Sequence, residues 1–375
     1  MIYFDNASTT KIDELALNKY NEVSNNFYYN CSSLHKGGMD SHKLLENARE
    51  TILNCINGSI GDTLLFCSGA TEANNMAFFG MPRKNAKILT SIGEHPSVFT
   101  TSKMNNLNVD YVSLDSNGQV DINEYERMVK ENKYDFISIM YVNNETGAIN
   151  DVEKLCSIAK TTNPKCIFHS DCVQAFGKID VLVDNLGVDA ISLSAHKING
   201  PKGIGALYIK KGTHFNPINF GGGQEFNLRS GTENLPAIVA FAEIAKYKVE
   251  KLDDNYNEVK KIKNNILSIF NENNFHYKLN GSLDASPYIL SLSLCGVKGE
   301  VLLHKLEMDD ILIGTGSACS SKTADNRILS AMGNSKEEVF GNIRLSFSPE
   351  NTMEESTFVA KKIIEYANYL RDIKG

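Results

Sequence analysis

The sequence contains no long hydrophobic run. Its longest apolar stretches, such as residues 134–142, are far too short to cross a bilayer, and its start shows neither the basic region nor the apolar core of a signal peptide. Lysine and arginine are scattered among acidic residues, the formal net charge is −7, and no basic stripe of the kind that binds nucleic acids is present. These absences predict a cytoplasmic protein that acts directly on neither membranes nor nucleic acids.

The cysteines show no spacing typical of a metal site or of disulfides. The sequence has 8 of them, with no CxxC pair and no regular interval, which argues against a structural zinc site and a disulfide framework. Cys319 stands in the stretch GTGSACSSKT, whose small residues give a loop a permissive backbone. It is therefore either an incidental loop residue or an exposed nucleophile.

Strand-like and helix-like patterns alternate between about residues 40 and 210. Strands that alternate with helices of ten or more residues imply crossover connections, and hence a mostly parallel sheet covered on both faces. Beyond about residue 255 the strands and helices are mixed more compactly, and residues 352–374 predict a closing helix. The sequence therefore predicts an α/β fold with a second, smaller α+β domain.

Lys197 lies in the segment with the clearest chemistry. The apolar strand DAISLS runs into Ala195, His196 and Lys197, after which glycines and a proline take over. Folds with parallel sheets bind ligands at the carboxyl ends of their strands, and a desolvated lysine there can form a Schiff base. The alternative is an ordinary surface lysine in a turn.

Three other segments offer what pyridoxal phosphate needs besides a lysine. Asp171 ends the strand CIFHSD and is either the partner of the pyridine nitrogen or a helix cap. Residues 68–71 lead from a strand into a helix, whose free N–H groups and dipole favour an anion. His95 in GEHPSV is either a ring-stacking partner or a plain loop histidine. The conjunction of these segments predicts the cofactor.

Six motifs, in order along the chain, resemble those of the cysteine desulfurases of the NifS/IscS type. They are SGATEANN, IMYVNNETGAI, HSDCVQAFGK, SAHKINGPKGIGALYI, RSGTEN and GSACSS, and the resemblance extends from YFDNAST to NIRLSFS. That family is the class V branch of the fold-type I pyridoxal phosphate enzymes. The resemblance implies a large domain with a mostly parallel seven-stranded sheet over residues 13–254, and a small α+β domain formed by residues 1–12 and 255–375.

The resemblance also implies a role for each matching residue. Lys197 matches the lysine that carries the cofactor, Asp171 the partner of the pyridine nitrogen, and His95 the histidine that stacks on the ring and moves protons. Asn144 and Arg344 match the groups that hold the substrate carboxylate; without the resemblance, the alternative for Arg344 is an ion pair at the domain surface. The other cofactor contacts that it implies are Gln174 at the phenolic oxygen, Ala70, Thr71, Ser194 and His196 at the phosphate, and Thr232 from the neighbouring subunit.

The implied activity is that of a pyridoxal-phosphate-dependent cysteine desulfurase that forms a homodimer. It converts L-cysteine to L-alanine and leaves the sulfur as a persulfide on Cys319, for an acceptor in iron–sulfur cluster assembly or in tRNA or cofactor thiolation. No metal site is expected, apart from transient iron–sulfur ligation by Cys319. The base that deprotonates Cys319 stays open between His95 and the substrate itself. The alternatives are a selenocysteine lyase, another fold-type I enzyme such as an aminotransferase, and a catalytically silent scaffold.

Overall fold

The structure is a computed structural model that describes residues 1–104, 106–316 and 326–373. Cys319, the predicted nucleophile, lies outside the described residues. The strands are β1 (Ile2–Phe4), β2 (Thr63–Cys67), β3 (Lys87–Ser91), β4 (Asn108–Val112), β5 (Phe136–Ser138), β6 (Ile167–Asp171), β7 (Ala190–Ser194), β8 (Gly205–Ile209), β9 (Lys278–Leu279), β10 (Ile289–Ser293), β11 (Ile311–Ile313) and β12 (Asn342–Ser346).

The closing helix begins and ends close to where the sequence pattern predicts it. The closing helix, predicted over residues 352–374, spans Met353–Asp372. The α-helices are α1 (Glu14–Asn26), α2 (Lys36–Cys55), α3 (Ala70–Gly80), α4 (Pro96–Phe99), α5 (Ile122–Glu131), α6 (Val152–Thr162), α7 (Val183–Leu186), α8 (Leu235–Glu250), α9 (Leu252–Glu272), α10 (Gly299–Glu307), α11 (Arg327–Ala331), α12 (Lys336–Phe340) and α13 (Met353–Asp372). Within the described ranges, no helix has both the length and the apolar character that a membrane span requires.

The largest sheet in the described part of the chain has seven strands in the order β2-β8-β7-β6-β5-β3-β4. Strand β8 is antiparallel to both of its neighbours, and the other pairs are parallel. This sheet confirms the predicted α/β fold of the fold-type I enzymes. It also brings the carboxyl ends of β3, β5, β6 and β7 to one edge.

Both faces of this sheet are covered, as the apolar strand sequences predict. Along β2, Leu64 and Phe66 pack into one buried cluster, whereas Leu65 and Cys67 pack into another. Successive side chains of a strand point to opposite faces, so the two clusters lie on the two sides of the sheet. The strands therefore form a rigid support for residues that follow their carboxyl ends.

One predicted strand is shorter than its apolar run. Strand β5 ends at Ser138, although the run continues to Val142. The next residues still lie beside β6, because the backbone N–H groups of Ile139 and Tyr141 donate to carbonyl groups of β6. The segment thus reaches the same edge of the sheet in an irregular conformation.

A separate buried cluster includes Phe4 and side chains from α9, β10, β12 and α13. Strand β10 pairs antiparallel with β9 and β12, and β1 pairs in parallel with β11, so the first residues of the chain join elements near its end. The division of the chain into domains of residues 13–254 and of residues 1–12 and 255–375 stays a prediction.

Candidate active site

A cleft of about 720 Å³ opens at the carboxyl ends of the parallel strands. Asp171 is the last residue of β6, and Lys197 lies in a 3₁₀ turn directly after β7. Since β6 and β7 run in parallel as neighbours, both residues reach the same edge of the sheet. The predicted residues that line this cleft are Ala70, Thr71, His95, Asn144, Asp171, Gln174, Ser194, His196, Lys197 and Arg344.

Thr232 is a predicted site residue that does not line this cleft. Its side chain is exposed, and it lines a smaller neighbouring cavity. Ser68 and Gly203 line both cavities, so Thr232 lies near the predicted phosphate-binding turn but outside the cleft of its own chain. The remaining predicted residue, Cys319, follows Gly316, which does line the cleft.

Lys197 is held by the first residues of the chain. Its Nζ donates to the carbonyl oxygens of Ala7 at 2.6 Å and Ser8 at 2.7 Å. Burial, and after it the positive charge of Arg344, lowers the pKa of Lys197 to about 8. A neutral amine has two hydrogens, so it keeps both hydrogen bonds and still has a free lone pair. Lys197 is therefore prepared to act as a nucleophile near neutral pH.

We expect the reactivity of Lys197 in the cofactor-free protein to level off above about pH 8. Lysine attacks acylating reagents only as the neutral amine, so its acylation rate stops rising once the pH exceeds its pKa. The rate of an ordinary lysine keeps rising up to about pH 10. Pulse acetylation followed by peptide mass spectrometry measures this, with the exposed Lys84 as the internal reference. Parallel pH profiles for the two lysines would contradict the lowered pKa.

Asp171 is a buried carboxylate whose oxygens accept hydrogen bonds. Its Oδ2 accepts from Nδ2 of Asn74 at 2.8 Å, and its Oδ1 accepts from the backbone N–H of Val173 at 3.0 Å. These two hydrogen bonds fix the orientation of the carboxylate. The arrangement suits a residue that has to hold a neighbouring ring nitrogen in its protonated form.

The side-chain amide of Gln174 has a fixed orientation. Its Oε1 accepts from Nζ of Lys178 at 2.9 Å, and its Nε2 donates to the carbonyl oxygen of Ala7 at 2.9 Å. Because the oxygen is already used by a lysine, the second Nε2 hydrogen remains for an acceptor in the cleft. Burial, together with the charge of Lys197, lowers the pKa of Lys178 to about 7.

The start of α3 offers backbone donors to an anion. Its N-cap, Gly69, provides no side-chain cap, so the first N–H groups of the helix have no partner of that kind. Gly205 of β8 lies directly against this turn. Any side chain there would clash, since its Cβ would lie 2.7 Å from Cα of Gly69. Ser194 adds a buried hydroxyl that has no hydrogen-bond partner among the described residues. This donor set fits the phosphate group of pyridoxal phosphate.

Arg344 combines the two interpretations that its sequence position leaves open. Its Nη2 forms an ion pair with Oδ1 of Asp5 at 2.8 Å and donates to Oγ of Ser8, while its Nη1 donates to the carbonyl oxygen of Asn144 at 2.8 Å. Within the described part of the chain, the buried Nε of Arg344 and Oδ1 of Asn144 have no partner. The arginine is thus fixed by an ion pair, and its buried Nε–H is left without a partner.

Sequence reasoning missed several residues that contact the predicted ones. Asn74 and Lys178 hold Asp171 and Gln174, and Asp5 pairs with Arg344. The spacing of four residues between Gln174 and Lys178 was the one local signal available. Glu94, next to His95, is completely buried, and burial raises its pKa to about 8. Nothing in the sequence distinguishes it from an exposed glutamate in a loop. These residues come close to the predicted ones only because the chain folds, so their positions in the sequence do not reveal them.

The comparisons with known proteins agree with the fold. The sequence matches the Aminotransferase class-V family over residues 2–357. It is 34% identical over 364 residues to a protein of Archaeoglobus fulgidus named cysteine desulfurase IscS 1, covering 95% of this chain and 94% of the relative. It is 40% identical over 369 residues to a NifS/IcsS protein homolog of Lactobacillus delbrueckii subsp. bulgaricus, covering 95% and 94% of the two chains.

A solved structure titled NifS-like protein has the same fold. It superimposes with a TM-score of 0.90 at 34% sequence identity, and the match covers 98% of this chain and 99% of that one. The family match extends over nearly the whole sequence, and the similar proteins are matched along almost their entire length. The chain therefore belongs to the class-V aminotransferase family.

Proposed function

We propose that the protein is a pyridoxal-phosphate-dependent cysteine desulfurase. The observation that carries this proposal is the convergence of Lys197, Asp171, His95 and Arg344 on one cleft that Gly316 also lines. The names of the similar proteins support the same activity. The substrate is L-cysteine, the products are L-alanine and a persulfide, and the acceptor of the persulfide sulfur is a protein of iron–sulfur cluster assembly or of tRNA or cofactor thiolation.

The residues at the base of the cleft fit the cofactor. In this proposal Lys197 holds it covalently, Asp171 pairs with its pyridine nitrogen, Gln174 donates to its phenolic oxygen, and His95 lies against its ring. The N–H groups at the start of α3 would hold its phosphate, together with Ala70, Thr71, Ser194 and His196. When bound, pyridoxal phosphate supplies an electron sink for the substrate's α-carbon.

The described residues also explain how the substrate is oriented. Arg344 has an unpartnered Nε–H, and the side chain of Asn144 has an unpartnered amide oxygen. In this proposal the two residues hold the carboxylate of L-cysteine. The Nζ of Lys197 would be free to remove the α-proton once the amino group of L-cysteine has replaced it on the cofactor. The lowered pKa of Lys197 makes this possible near neutral pH, because the neutral amine is the form that accepts a proton.

Cys319 is the proposed nucleophile toward the substrate's sulfur. Its Sγ forms a bond to that sulfur while the bond between the sulfur and Cβ breaks; the electron pair stays on Cβ, which takes up a proton and becomes the methyl group of alanine. Cys319 is three residues beyond Gly316, so their Cα atoms are at most about 11 Å apart. The cleft that Gly316 lines is therefore within reach of Cys319.

We propose a homodimer in which Thr232 completes the phosphate site of the partner. Two large aromatic side chains in the same part of the chain support a contact there: Phe220 is 83% exposed and Phe226 is 54% exposed. Aromatic residues are enriched at protein–protein interfaces. The seven described cysteines are free thiols, which agrees with the cytoplasmic location that we propose.

Replacing Arg344 with alanine should mainly raise the KM for L-cysteine. A hydrogen bond to a charged group contributes about 1.5–3 kcal/mol, so we expect an increase of roughly 10- to 150-fold. The KM of Arg344→Lys should lie between those of Arg344→Ala and the wild type, because lysine keeps the charge but lacks the planar guanidinium. Steady-state kinetics measure both variants, with the exposed Arg83→Ala as control. An unchanged KM would make Arg344 a purely structural residue that pairs with Asp5.

The activity is tested most simply by incubating the protein with pyridoxal phosphate, L-cysteine and a thiol reductant. A desulfurase releases alanine and sulfide in equal amounts without any 2-oxo acid. An aminotransferase needs a 2-oxo acid and forms no sulfide, and a selenocysteine lyase releases alanine from selenocysteine but not from cysteine. Absence of alanine from L-cysteine in the fully loaded protein would overturn the proposed function.

A further inference from the structure

A chain of hydrogen bonds connects Asp171 to His95 through Asn74 and Ser97. Asn74 is completely buried, and its Nδ2 donates both to Oδ2 of Asp171 at 2.8 Å and to Oγ of Ser97 at 2.8 Å. Oγ of Ser97 in turn lies 2.7 Å from Nδ1 of His95. The imidazole is thus connected to the carboxylate through an amide and a hydroxyl.

The direction of each hydrogen bond follows from the donors available. A carboxylate only accepts, so the NH₂ group of Asn74 must face Asp171; the reverse orientation would place two oxygens against each other. The same NH₂ group supplies the hydrogen to Ser97. Within the described part of the chain, Nδ1 of His95 is then the remaining neighbour of Oγ of Ser97, and it receives the hydroxyl hydrogen.

A second donor reaches the same nitrogen of His95. His95 caps α4, and the backbone N–H of Ser97 donates to its Nδ1 at 3.2 Å. A backbone N–H cannot turn away or reverse its role, so a hydrogen on Nδ1 would point directly at another hydrogen. The neutral ring must therefore carry its hydrogen on Nε2. This nitrogen makes no hydrogen bond to any described residue, and His95 lines the cleft.

We propose that Ser97 and Asn74 are positioning residues that hold His95 as the Nε2–H tautomer, so that the imidazole presents a hydrogen-bond donor to the cleft. In this state His95 donates a hydrogen to a group in the cleft and cannot take one at Nε2. The proton of the Cys319 thiol then goes to another group, and His95 is no longer a candidate for that base. The meaning for catalysis rests on the proposed function, whereas the tautomer itself does not.

The electrostatic surroundings of His95 agree with a neutral ring. Burial lowers its pKa, and the charges of Lys197 and Arg327 act in the same direction, whereas those of Asp171 and Glu145 oppose them. Donors to Nδ1 add to this effect, since they stabilise the unprotonated nitrogen. Loss of the Ser97 hydroxyl should therefore raise the pKa of His95.

Nitrogen-15 NMR of the histidine rings tests the proposal directly. The full chain is labelled at both ring nitrogens, and the His95 signals are identified by their loss in His95→Gln. We expect an unprotonated Nδ1 and a protonated Nε2 in the wild type. In Ser97→Ala and in Asn74→Leu the ratio of the two tautomers should shift toward Nδ1–H by roughly fivefold, the equivalent of a typical neutral hydrogen bond.

The matched control is Ser102→Ala, which removes another buried hydroxyl that bonds Tyr111 and the carbonyl of Phe99 instead. It should leave the His95 signals unchanged. If Asn74→Leu does not fold, Ser97→Ala carries the test alone. A protonated Nδ1 in the wild type, or variants with wild-type tautomer ratios, would overturn the proposal. The spectra need neither cofactor nor cysteine, so this result is independent of whether the protein is a desulfurase.

Discussion

Replacing Lys197 with alanine is expected to lower the turnover of L-cysteine by at least about 10³-fold, since the same amine both attaches the cofactor and removes the α-proton. The wild-type protein should show an absorption band of bound pyridoxal phosphate that borohydride reduces to a stable adduct on Lys197. In Lys197→Ala the adduct should be absent, although part of the cofactor can remain bound through the other cleft residues. Absorption spectra and peptide mass spectrometry measure both effects.

The exposed Lys210→Ala is the matched control for this variant. It should keep the borohydride adduct and the turnover. Exchange of the α-hydrogen of cysteine in D₂O gives a second readout, and it should disappear in Lys197→Ala and persist in Lys210→Ala. An adduct on a lysine other than Lys197, for example the buried Lys178, would contradict the assignment.

Replacing Cys319 with alanine is expected to reduce the formation of alanine and sulfide to background while leaving the earlier chemistry in place. Lys197, Asp171 and Arg344 are unchanged in this variant, so the cofactor band and the exchange of the α-hydrogen should remain at wild-type level. The two variants therefore divide the reaction at one step. Loss of Lys197 stops it before the α-proton leaves, and loss of Cys319 stops it before the carbon–sulfur bond breaks.

Cys295→Ala provides the control, because Cys295 is an exposed free cysteine. It should retain full activity. Wild-type alanine formation by Cys319→Ala would mean that another thiol, or the reductant itself, accepts the sulfur. Loss of cofactor binding in Cys319→Ala would show instead that the residue supports the structure of the cleft.

The sequence predicts the parts of the site that follow strand ends. Asp171 and Lys197 are recognised because each follows an apolar run that predicts a strand. Neighbouring parallel strands end at the same edge of a sheet, so the two residues are expected to lie close together. The seven-stranded sheet, which the resemblance implies, is confirmed. The early end of β5 at Ser138 could not be predicted, because an apolar run does not distinguish a strand from a buried irregular segment.

The supporting contacts of the site could not be predicted. Arg344 and Asp5 pair although they stand near opposite ends of the sequence. Asn74 lies in α3, which follows β2, whereas its partner Asp171 ends β6. Such contacts depend on how elements pack together, which periodicity and turn residues do not encode. The ion pair of Arg344 and its place in the cleft looked like alternatives in the sequence, and the fold accommodates both.

The central claim, that the sulfur of L-cysteine is transferred to Cys319, is tested most directly by a single turnover with sulfur-35 L-cysteine. The loaded protein is denatured and digested without reductant, and the labelled peptides are mapped. The account predicts one labelled peptide, containing Cys319, from which dithiothreitol releases the label. Reductant-labile label on a peptide that contains any other cysteine, or complete release of the label as free sulfide with none on the protein, would contradict it.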